Sequence, residues 1–328
     1  MRVAQSWTEA TVLALRDVTP SVREFSLQPV GGVLLQAPGG HLQVQLVLDG
    51  RVHTRSYSLV AQGDPQVYRI AVKHLKAGRG GSIAMWKLRP GDRLRISEPQ
   101  NHFPLDLNAP AYLLVAGGIG ITPMLQMAQA LASRTSASGR SLRMLYAARS
   151  TDELAYASEL RALLGDRLCT FVSQQGQRID IGCEIADLPM DGQLVVCGPA
   201  LMLDAAKMAW SAAGRPLSHL RYETFGSSGR LAPQAFRVLI PRHRLDITVP
   251  ADCSLLDALD AAEVQTIFDC KRGECGLCVM DVLHVEGEID HRDVFLSRAE
   301  KQRDTKICTC VSRVVGTITI ESAYRPDI

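Results

Sequence analysis

Three closely spaced cysteines near the end of the chain constrain its folding more than any other feature. Cys270, Cys275 and Cys278 occupy the segment "DCKRGECGLC", with four residues between the first two and two between the last two. Their sulfur atoms can surround one centre only if the loop bends sharply and its backbone N–H groups point inward. Gly273 and Gly276 permit both, because glycine adopts backbone conformations that other residues avoid. The segment is therefore predicted to be a tight loop around a bound group.

The same spacing is typical of a plant-type [2Fe-2S] cluster, for which a more distant cysteine supplies the fourth thiolate. Two candidates, Cys308 and Cys310, follow in the segment "KICTCVSRV". A structural zinc site is the main alternative, but such sites more often use cysteine pairs with two intervening residues. The remaining alternative is a set of buried or free thiols. The pattern favours the iron–sulfur cluster.

Composition and charge limit the class of protein and its partners. Hydrophobic residues make up 46% and charged residues 21% of the chain, as in soluble globular proteins. The net charge of +2 argues against a nucleic-acid partner. The first residues show no apolar segment behind a basic one, and the stretch "AYLLVAGGIGITPML" is too short and too interrupted to span a membrane. We expect a cytoplasmic protein without a membrane partner, whose nine cysteines are metal ligands or buried thiols rather than disulfides.

Residues 1–107 are predicted to form a small antiparallel β-barrel. A chain of 328 residues is expected to hold two or three domains. Near its start, "QVQLVLDGRVHTRSYSLV" consists of two alternating runs around an Asp-Gly turn, which is a strong hairpin signal. "VYRIAVKHL" and "DRLRISEP" are two further short strands. Many short strands with little helix are typical of a barrel.

Residues 108–225 are predicted to form a doubly wound α/β domain. The segment "AYLLVAGG" is almost wholly apolar, as expected of a strand in a buried parallel sheet. Helices such as "ELAYASELRALLG" alternate with strands from there to "HLRYETFG". In the first helix, "TPMLQMAQALASR", Thr122 is the predicted N-cap and Pro123 the first helical residue.

A linker and a third domain follow. Residues 226–234, "GSSGRLAPQ", are rich in glycine, serine and proline and are predicted to be a flexible linker. In residues 235–328, "FRVLIPRHRLDITVP" and "VLHVEGEID" are predicted hairpins, "SLLDALDAAEV" a short helix and "GTITIES" a closing strand. Residues 236–328 carry a net charge of −4 and the rest of the chain +6. The acidic surface either docks a basic partner or is simply solvated, which is the plainer interpretation.

Two motifs in the first domain meet the needs of a flavin. In "RSYS", Arg55 can neutralise a phosphate, Tyr57 can form an aromatic wall for the ring, and Ser58 can bond to the ring's polar edge. In "GRGGS", the backbone N–H groups of residues 80–82 can surround a phosphate. By itself "GRGGS" is more simply a flexible loop. Its combination with "RSYS" favours the cofactor site.

Two motifs in the second domain meet the needs of a nicotinamide nucleotide. "AGGIGITPM" lies where a strand meets a helix, and its glycines allow a pyrophosphate to approach. It is not the G-x-G-x-x-G fingerprint, and no acidic residue follows at the usual distance, so a plain Rossmann dehydrogenase is disfavoured. "CGP" ends a later strand, where ligands bind in such sheets. Gly198 leaves space for the nicotinamide, and Cys197 either contacts the ring or is a core thiol.

Jointly, the motifs resemble those of the phthalate dioxygenase reductase family within the ferredoxin-reductase superfamily. They are "RSYS", "GRGGS", "AGGIGITPM", "YAARS", "CGP", "YETFG", the cysteine triplet, "DHRD" and "CVSR", and they cover essentially the whole chain in one order. The resemblance implies a multidomain protein with an antiparallel β-barrel flavin domain, an α/β doubly wound nucleotide domain and an α+β ferredoxin domain of the β-grasp type.

The resemblance also implies the cofactors and the residues that hold them. It implies FMN rather than FAD, because this branch is known for the shorter flavin. The implied FMN residues are Arg55, Ser56, Tyr57, Ser58, Ala71, Val72, Lys73, Gly80, Gly81, Ser82, Thr122 and Phe225. The implied NAD residues are Gly117, Gly118, Gly120, Thr122, Arg149, Ser150, Cys197, Gly198 and Pro199.

The family pattern favours Cys310 as the fourth cluster ligand, beside Cys270, Cys275 and Cys278. In this family the ligand directly precedes "VSR", as Cys310 does. The predicted hairpin "VLHVEGEID" looks two residues longer than its relatives, which would displace the ligand by two. Cys308 is the alternative ligand and otherwise a buried neighbour.

NADH is the expected electron donor, because relatives with "ARS" mostly use it. NADPH remains the alternative for two reasons. Arg149 can accept a 2′-phosphate, and "VSQQGQRID" lacks the acidic residue that often binds the free ribose.

The implied activity is electron transfer without a catalytic nucleophile. NADH would reduce the flavin by two electrons, and single electrons would then pass through the [2Fe-2S] cluster to the terminal Rieske non-haem iron oxygenase of a hydroxylating or demethylating system. A cytochrome P450 or a diiron hydroxylase is an alternative acceptor. A zinc-stabilised binding module fused to a degenerate nucleotide domain is the non-enzymatic alternative.

Overall fold

The computed structural model describes residues 6–48, 50–60, 66–75, 80–138, 140–225, 229 and 231–322, without the side chains of residues 135–138. Part of the predicted Asp-Gly turn, part of "GRGGS" and most of "GSSGR" lie outside the described residues. The chain divides into two compact units, Met1–Glu223 and Thr224–Ile328. The predicted domain boundaries stay a prediction, although each of the three sheets falls within one predicted domain. No helix among the described residues is long and apolar enough to cross a membrane.

The first sheet is the predicted antiparallel barrel. Its strands are β1 (Trp7–Thr19), β2 (Val22–Pro29), β3 (His41–Leu48), β4 (Arg51–Ser58), β5 (Tyr68–Lys73) and β6 (Arg93–Ser97). Their order is β4-β3-β6-β1-β2-β5, and an isolated bridge between Leu59 and Ile70 links the two edges. The predicted hairpin is confirmed, because β3 pairs with β4 over its full length. The helix α1 (Gly81–Lys87) was not predicted.

The second sheet is wholly parallel and forms the predicted doubly wound domain. Its strands are β7 (Ala111–Gly117), β8 (Ser141–Ala148), β9 (Leu168–Val172), β10 (Gln193–Cys197) and β11 (Leu220–Glu223), and its helices are α2 (Ile121–Ser138), α3 (Ala157–Leu164), α4 (Ile181–Ala186) and α5 (Ala200–Ala212). The strand order is β11-β10-β7-β8-β9. The order therefore reverses at β7, and ligands bind outside the carboxyl ends of the strands at such a point. All seven residues of β7 are buried, as the apolar run predicted.

The predicted N-cap of α2 is wrong. A 3₁₀ turn over Gly118–Gly120 runs directly into α2, so the helix begins at Ile121 and Thr122 lies inside its first turn. The Thr122 hydroxyl donates to the carbonyl oxygen of Ile119 at 3.0 Å instead of capping the helix. The helix α3 also begins later than predicted, because Tyr156 adopts a left-handed conformation with φ 59° immediately before it.

The third sheet belongs to the second unit and has the predicted β-grasp arrangement. Its strands are β12 (Phe236–Ile240), β13 (Leu245–Val249), β14 (Val279–Asp290), β15 (Lys306–Cys308) and β16 (Arg313–Glu321), with helices α6 (Leu255–Ala261) and α7 (Arg298–Arg303). The strand order is β13-β12-β16-β14-β15, and only β12 and β16 are parallel. Ser254 caps α6 by accepting the N–H of Asp257.

The predicted hairpin "VLHVEGEID" is wrong, because this segment lies within the single strand β14. The strand pairs with β16 from Asp281 to Asp290, with one bulge after Val282. Gly287 faces Gly316 across the ladder, and a Cβ on Gly287 would lie 1.8 Å from the carbonyl oxygen of Val315. The glycine therefore serves close approach of two strands, not a turn. The hairpin-length argument for Cys310 is lost with this prediction.

Candidate functional site

The structure brings together the two motifs that were predicted to bind flavin. Arg55 lies on β4, and Gly80 precedes α1 in a left-handed conformation with φ 75°. The Nε atom of Arg55 lies 2.8 Å from the position that a Cβ on Gly81 would occupy. The guanidinium group is therefore packed on the first turn of α1, and only glycine leaves room for it. This arrangement places a permanent positive charge beside the backbone that was predicted to hold a phosphate.

Ser58, at the end of β4, has a buried hydroxyl group whose hydrogen-bonding capacity is not used within the described residues. The residue is 4% exposed, and its hydroxyl has no hydrogen-bond partner among the described residues. A buried hydroxyl without a partner costs roughly 1–3 kcal/mol, so a ligand atom is expected there. Next to it, Tyr57 packs against the barrel core, and burial raises the pKa of its phenol above the ordinary value despite the opposing charge of Arg55. These residues fit the polar edge and the face of a flavin ring.

The other implied flavin residues lie around the same end of the barrel. On β5, Ala71 and Val72 are buried, and the Val72 carbonyl accepts a 3.0 Å hydrogen bond from the Trp86 indole. The Ser82 hydroxyl accepts the N–H of Leu75 at 3.1 Å, which links the residues just after β5 to the first turn of α1.

The positions of Ser56 and Phe225 do not by themselves assign these residues to the flavin site. Ser56 is half-buried on β4, opposite Gln43 of β3. Phe225 is half-buried and belongs to the second unit, so its assignment to the flavin site stays a prediction.

The two nucleotide motifs meet at the reversal point of the parallel sheet. Strand β10 pairs directly with β7, which sets Cys197 opposite Ala116. A Cβ on Gly120 would lie 2.1 Å from the carbonyl oxygen of Cys197. Gly120 is therefore needed for packing between the two loops, and its role at a pyrophosphate stays a prediction. Gly118, with φ 55°, has no described atom within 4 Å of its Cβ position.

The remaining residues of this crevice are closely packed. A Cβ on Gly117 would lie 2.6 Å from Pro199, and one on Gly198 would lie 2.8 Å from the Met202 sulfur atom. Cys197 is 0% exposed, which supports the core-thiol alternative. Thr122 is also buried and uses its hydroxyl within the helix turn.

The ends of β8 and β9 lie side by side, where an adenosine ribose was predicted. The N–H of Gln174 donates to the Arg149 carbonyl at 3.0 Å, and Ser150 begins the following turn. The Arg149 side chain is exposed. Asp180 is the nearest acidic residue of the β9 loop in sequence, and its carboxylate caps α4 by accepting the N–H of Cys183 at 3.1 Å.

A polar cluster that the sequence analysis missed joins the barrel to the nucleotide domain within the first unit. Glu24 of β2 is buried and accepts hydrogen bonds from Arg69 at 2.7 Å, Tyr156 at 2.9 Å and Arg16 at 3.2 Å. Burial opposes ionisation of Glu24, but the hydrogen bonds from Arg69 and Arg16 outweigh it and hold its pKa below the ordinary value. No local pattern marks these residues, because they come from distant parts of the chain.

A second contact links a predicted flavin residue to the nucleotide domain. Lys73 pairs with Glu153 at 3.3 Å, and the Ser21 hydroxyl donates to the same carboxylate. Glu153 closes the turn that follows Ser150. Glu24 and Glu153, one buried and one half-buried, are thus two of the carboxylates that link the two domains of the first unit.

The cysteine loop of the second unit bends as the sequence predicted. Gly273 and Gly276 both have φ 75°, and Lys271 is also left-handed with φ 52°. A Cβ on Gly276 would lie 2.2 Å from the Phe295 ring, and one on Gly273 would lie 2.6 Å from Val311. Both glycines are required by conformation and by space.

Two of the four predicted cluster ligands are in direct contact. The Sγ atoms of Cys278 and Cys310 lie 3.2 Å apart, and Cys270 and Cys275 lie on the loop that leads to Cys278. All except Cys275 are buried. A [2Fe-2S] cluster of this type is held by four cysteine thiolates, so the chemistry of this donor set fits the group.

Backbone N–H groups of the loop point at the sulfur atoms. The N–H of Arg272 donates to Cys270 at 3.4 Å, and the N–H of Gly273 reaches Cys310. Burial raises the pKa of Cys270, while these N–H contacts act in the opposite direction. Hydrogen bonds of this kind tune the potential of iron–sulfur clusters.

Cys308 lies beside this donor set. It ends β15 opposite Val279 and is 0% exposed. The neighbouring Cys278 thiol and burial raise the pKa of Cys308, and the same causes raise the pKa of Cys310, so the pKa does not distinguish the two candidate ligands. The 3.2 Å Sγ contact with Cys278 is made by Cys310.

The "DHRD" and "CVSR" motifs are hydrogen-bonded to each other and to the cysteine loop. Buried Asp293 accepts hydrogen bonds from the Ser312 hydroxyl at 3.2 Å and from the Leu296 N–H at 2.8 Å. The next residue, Val294, donates to the Gly273 carbonyl at 2.9 Å. The sequence marked both motifs through the family resemblance, but did not reveal that they contact each other.

Two family models match the chain. The oxidoreductase NAD-binding domain matches residues 114–208, and the 2Fe-2S iron–sulfur cluster binding domain matches residues 240–315. The first match contains the sheet reversal point, and the second contains the cysteine loop. The protein is an oxidoreductase with both kinds of domain.

Curated relatives match along almost the full length. The heme-dependent oxidative N-demethylase beta subunit of Ectopseudomonas mendocina is 38% identical over 313 residues, covering 94% of this chain and 96% of the relative. The vanillate O-demethylase oxidoreductase of Pseudomonas sp. strain HR199 is 35% identical over 316 residues, with 93% and 96% covered.

Solved structures show the same architecture. Phthalate dioxygenase reductase has a TM-score of 0.76 and 29% identity, covering 96% of this chain and 98% of that structure. An intact type IV self-sufficient cytochrome P450 monooxygenase has a TM-score of 0.64 and 31% identity, covering 96% of this chain and 41% of that one. The chain belongs to the phthalate dioxygenase reductase family, the reductase subunits that transfer electrons from a nicotinamide nucleotide to oxygenase systems.

Proposed function

We propose that the protein is the reductase component of a two-component oxygenase or demethylase and takes electrons from NADH through FMN and a [2Fe-2S] cluster to the terminal oxygenase. The observation that carries the proposal is a cysteine loop bent by two left-handed glycines, in which the Cys278 sulfur atom contacts that of Cys310, in a chain that also holds a nicotinamide-nucleotide domain. When bound, the flavin and the cluster together convert a two-electron donor into a source of single electrons. The residues of this chain bind and orient these groups.

The barrel would hold FMN through charge and shape. Arg55 would neutralise the phosphate, and the backbone at Gly80 and Gly81 would donate hydrogen bonds to it. Tyr57 would cover one face of the ring, and the orphaned hydroxyl of Ser58 would meet its polar edge. FMN is preferred over FAD on the family resemblance.

Cys310 is proposed as the fourth cluster ligand. Support comes from its 3.2 Å Sγ contact with Cys278 and from its position directly before "VSR". Cys308 would then remain a buried neighbour of the cluster. The loop amides would stabilise the negative charge of the thiolates.

NADH is proposed as the electron donor. Gly118 would leave space at the sheet reversal point for the nucleotide, and Arg149 and Ser150 would lie near the ribose. The exposed guanidinium of Arg149 could bind the 2′-phosphate of NADPH, so NADPH is the alternative donor that the experiment must compare with NADH. A comparison of flavin reduction by the two donors decides this point.

A Rieske non-haem iron oxygenase is the proposed acceptor, on the family resemblance. A haem enzyme is the second candidate, because a 38% identical relative belongs to a heme-dependent N-demethylase and a P450 monooxygenase contains a similar module.

The test is product formation in a reconstituted system. The purified protein, loaded with flavin and iron–sulfur cluster, is mixed with NADH and with candidate Rieske or haem oxygenases from the same genome. Visible bleaching by NADH and product from one oxygenase class are expected. A protein that lacks flavin and cluster absorption after reconstitution would contradict the proposal. Cys310→Ser is the control, because its flavin should still be reduced while no product forms.

A further inference from the structure

The short helix α1 depends on the barrel for its position. It has only seven residues, Gly81–Lys87, and its N-cap residue, Gly80, has no side chain to cap it. Isolated helices of this length are marginal in water, so contacts with the sheet decide whether the helix forms and where it lies. Met85 supplies one such contact, because it is 0% exposed within the barrel core.

Trp86 makes a directed contact between α1 and β5. Its indole N–H donates to the carbonyl oxygen of Val72 at 3.0 Å. The centroid of its ring lies 4.8 Å from that of His74, the residue just after β5. Trp86 therefore fastens the last turn of α1 to the end of a strand that was predicted to contribute to the flavin site.

Arg23 of β2 holds the indole ring in place. Its guanidinium carbon lies 4.4 Å from the centroid of the Trp86 ring, and its Nη1 atom donates to the Trp86 carbonyl oxygen at 3.2 Å. A cation over the face of an indole is a favourable arrangement. Asp17 orients the guanidinium through two hydrogen bonds of 2.6 and 3.0 Å. Arg23 also lies opposite Val72 in the β2–β5 ladder, so Arg23, Trp86 and Val72 form one compact cluster.

The first turn of α1 orders the side chain of Arg55. The Nε atom of Arg55 lies 2.8 Å from the position that a Cβ on Gly81 would occupy, and its Nη1 atom donates to the Thr54 carbonyl oxygen at 2.9 Å. A long side chain that moves freely loses conformational freedom when it binds a ligand, and this loss lowers the affinity. A helix that already holds the side chain reduces the loss. The position of α1 therefore affects how well Arg55 can bind a phosphate.

We propose that Trp86 is a positioning residue for binding of the flavin phosphate. Trp86 fastens α1 to β5, and α1 in turn orders Arg55, which would neutralise the phosphate. Arg23 supports the same arrangement through its contacts with Trp86. This role rests on the proposed function, because it requires that the barrel binds FMN.

The two parts of the flavin should respond differently to the loss of the Trp86 contact. The residues proposed for the ring lie on β4 and β5, and these strands pair with β3 and β2 over their whole lengths. Their positions are therefore fixed by the sheet. The order of the Arg55 side chain depends in addition on α1, so the phosphate should be affected and the ring should not.

The test compares FMN with riboflavin, which has the same ring system but no phosphate. Each flavin is titrated into the full-length protein after removal of bound flavin, and the change in flavin fluorescence gives the dissociation constant. Trp86→Phe keeps an aromatic ring and removes the N–H. It should weaken FMN binding roughly fivefold, as expected when one long side chain must become immobilised on binding. Riboflavin binding should be nearly unchanged, because riboflavin has no phosphate for Arg55 to bind.

The matched control is Trp210→Phe in the nucleotide domain. It removes the same kind of hydrogen bond, from an indole N–H to the carbonyl oxygen of Pro216 at 2.9 Å, and should leave both affinities unchanged. If Trp86→Phe fails to fold, Arg23→Gln decides instead. This substitution removes two contacts of Trp86 from outside the helix and should also weaken the binding of FMN but not of riboflavin.

A double substitution tests whether Trp86 acts through Arg55. Arg55→Gln should weaken FMN binding by itself. In that background Trp86→Phe should have almost no further effect, because the side chain that the helix orders has been removed. Additive losses from the two substitutions would overturn the positioning role.

The same titrations separate the role of Trp86 from the proposed function. Equal weakening of FMN and riboflavin by Trp86→Phe would overturn the positioning role, because it would show a general effect on the barrel. An unchanged FMN affinity would overturn it as well. In both cases the unaltered protein still binds FMN, and the proposed function stands. If the unaltered protein binds neither flavin, the proposed function and the role of Trp86 both fail.

Discussion

Tyr156 of the nucleotide domain donates a 2.9 Å hydrogen bond to the buried carboxylate of Glu24 in the barrel. The tyrosine adopts a left-handed conformation with φ 59°, which is unfavourable for a residue with a bulky side chain. Glu24 also receives two arginine side chains, so the contact is part of a charged network. This network joins the two domains of the first unit.

Removal of the Glu24 contacts should loosen the first unit. Tyr156→Phe should lower the free energy of unfolding by about 1 kcal/mol, and Glu24→Gln by about 2 kcal/mol, because the latter weakens charge-assisted hydrogen bonds. Urea unfolding followed by tryptophan fluorescence measures both. Glu9→Gln, which breaks an exposed pair with Arg93, is the control and should change the stability little. A control as damaging as Glu24→Gln would refute this role.

Glu24 should also give the unit an acid-sensitive stability. Its pKa in the folded protein is lowered, so its contribution is complete above the unfolded pKa of about 4.3 and is lost as the pH falls through the lowered folded value. Glu24→Gln should therefore flatten the decline in stability below about pH 5. Unfolding free energies measured from neutral pH to about pH 3 test this. An unchanged slope in the variant would show that other carboxylates dominate.

Ser58→Ala should have opposite effects on the empty and the loaded protein. Without flavin, the orphaned hydroxyl is removed, and the free energy of unfolding should rise by about 1 kcal/mol. With FMN, the lost hydrogen bond should weaken binding roughly fivefold. Urea unfolding of the apoprotein gives the free energy of unfolding, and fluorescence titration with FMN gives the dissociation constant. Ser26→Ala on β2 is the control and should change neither quantity. If Ser58→Ala binds FMN as tightly as the unaltered protein, Ser58 is not part of the flavin site.

Gly118 and Gly120 should respond differently to alanine. Gly118→Ala strains a left-handed residue by about 1 kcal/mol but meets no neighbour, so the fold should persist while nucleotide affinity falls. Gly120→Ala drives a Cβ into the Cys197 carbonyl and should destabilise the unit by about 3 kcal/mol. Thermal unfolding and NAD⁺ binding distinguish the two. A loss of stability in both would mean that Gly118 is structural.

The fourth cluster ligand can be identified by two serine variants. Cys310→Ser should abolish most cluster assembly, whereas Cys308→Ser should retain it, because the Sγ atom of Cys310 lies 3.2 Å from that of Cys278. Iron, labile sulfide and visible circular dichroism after reconstitution provide the measurement. The reverse result would assign the ligand to Cys308.

The sequence predicted the parts of the protein whose signal is local. The apolar run of β7 predicted a buried parallel strand, and the glycines of the cysteine loop predicted its left-handed bends. The sequence-based predictions were wrong where the same residue pattern is compatible with two different local structures. "VLHVEGEID" has the composition of a hairpin, yet Gly287 serves close approach to β16, which no local pattern reveals. Thr122 and Pro123 have the composition of a helix start, but the 3₁₀ turn before them already begins the helix.

The sequence by itself determined the order of the three modules and the motifs for two cofactors and a nucleotide, because each motif depends on residues close together in the chain. Only the tertiary structure decided which distant polar groups meet. The Glu24–Tyr156 and Arg292–Leu231 hydrogen bonds connect residues 132 and 61 positions apart. Such contacts depend on how the chain is folded back, and a hydrogen bond between buried groups is stronger than the same bond in water.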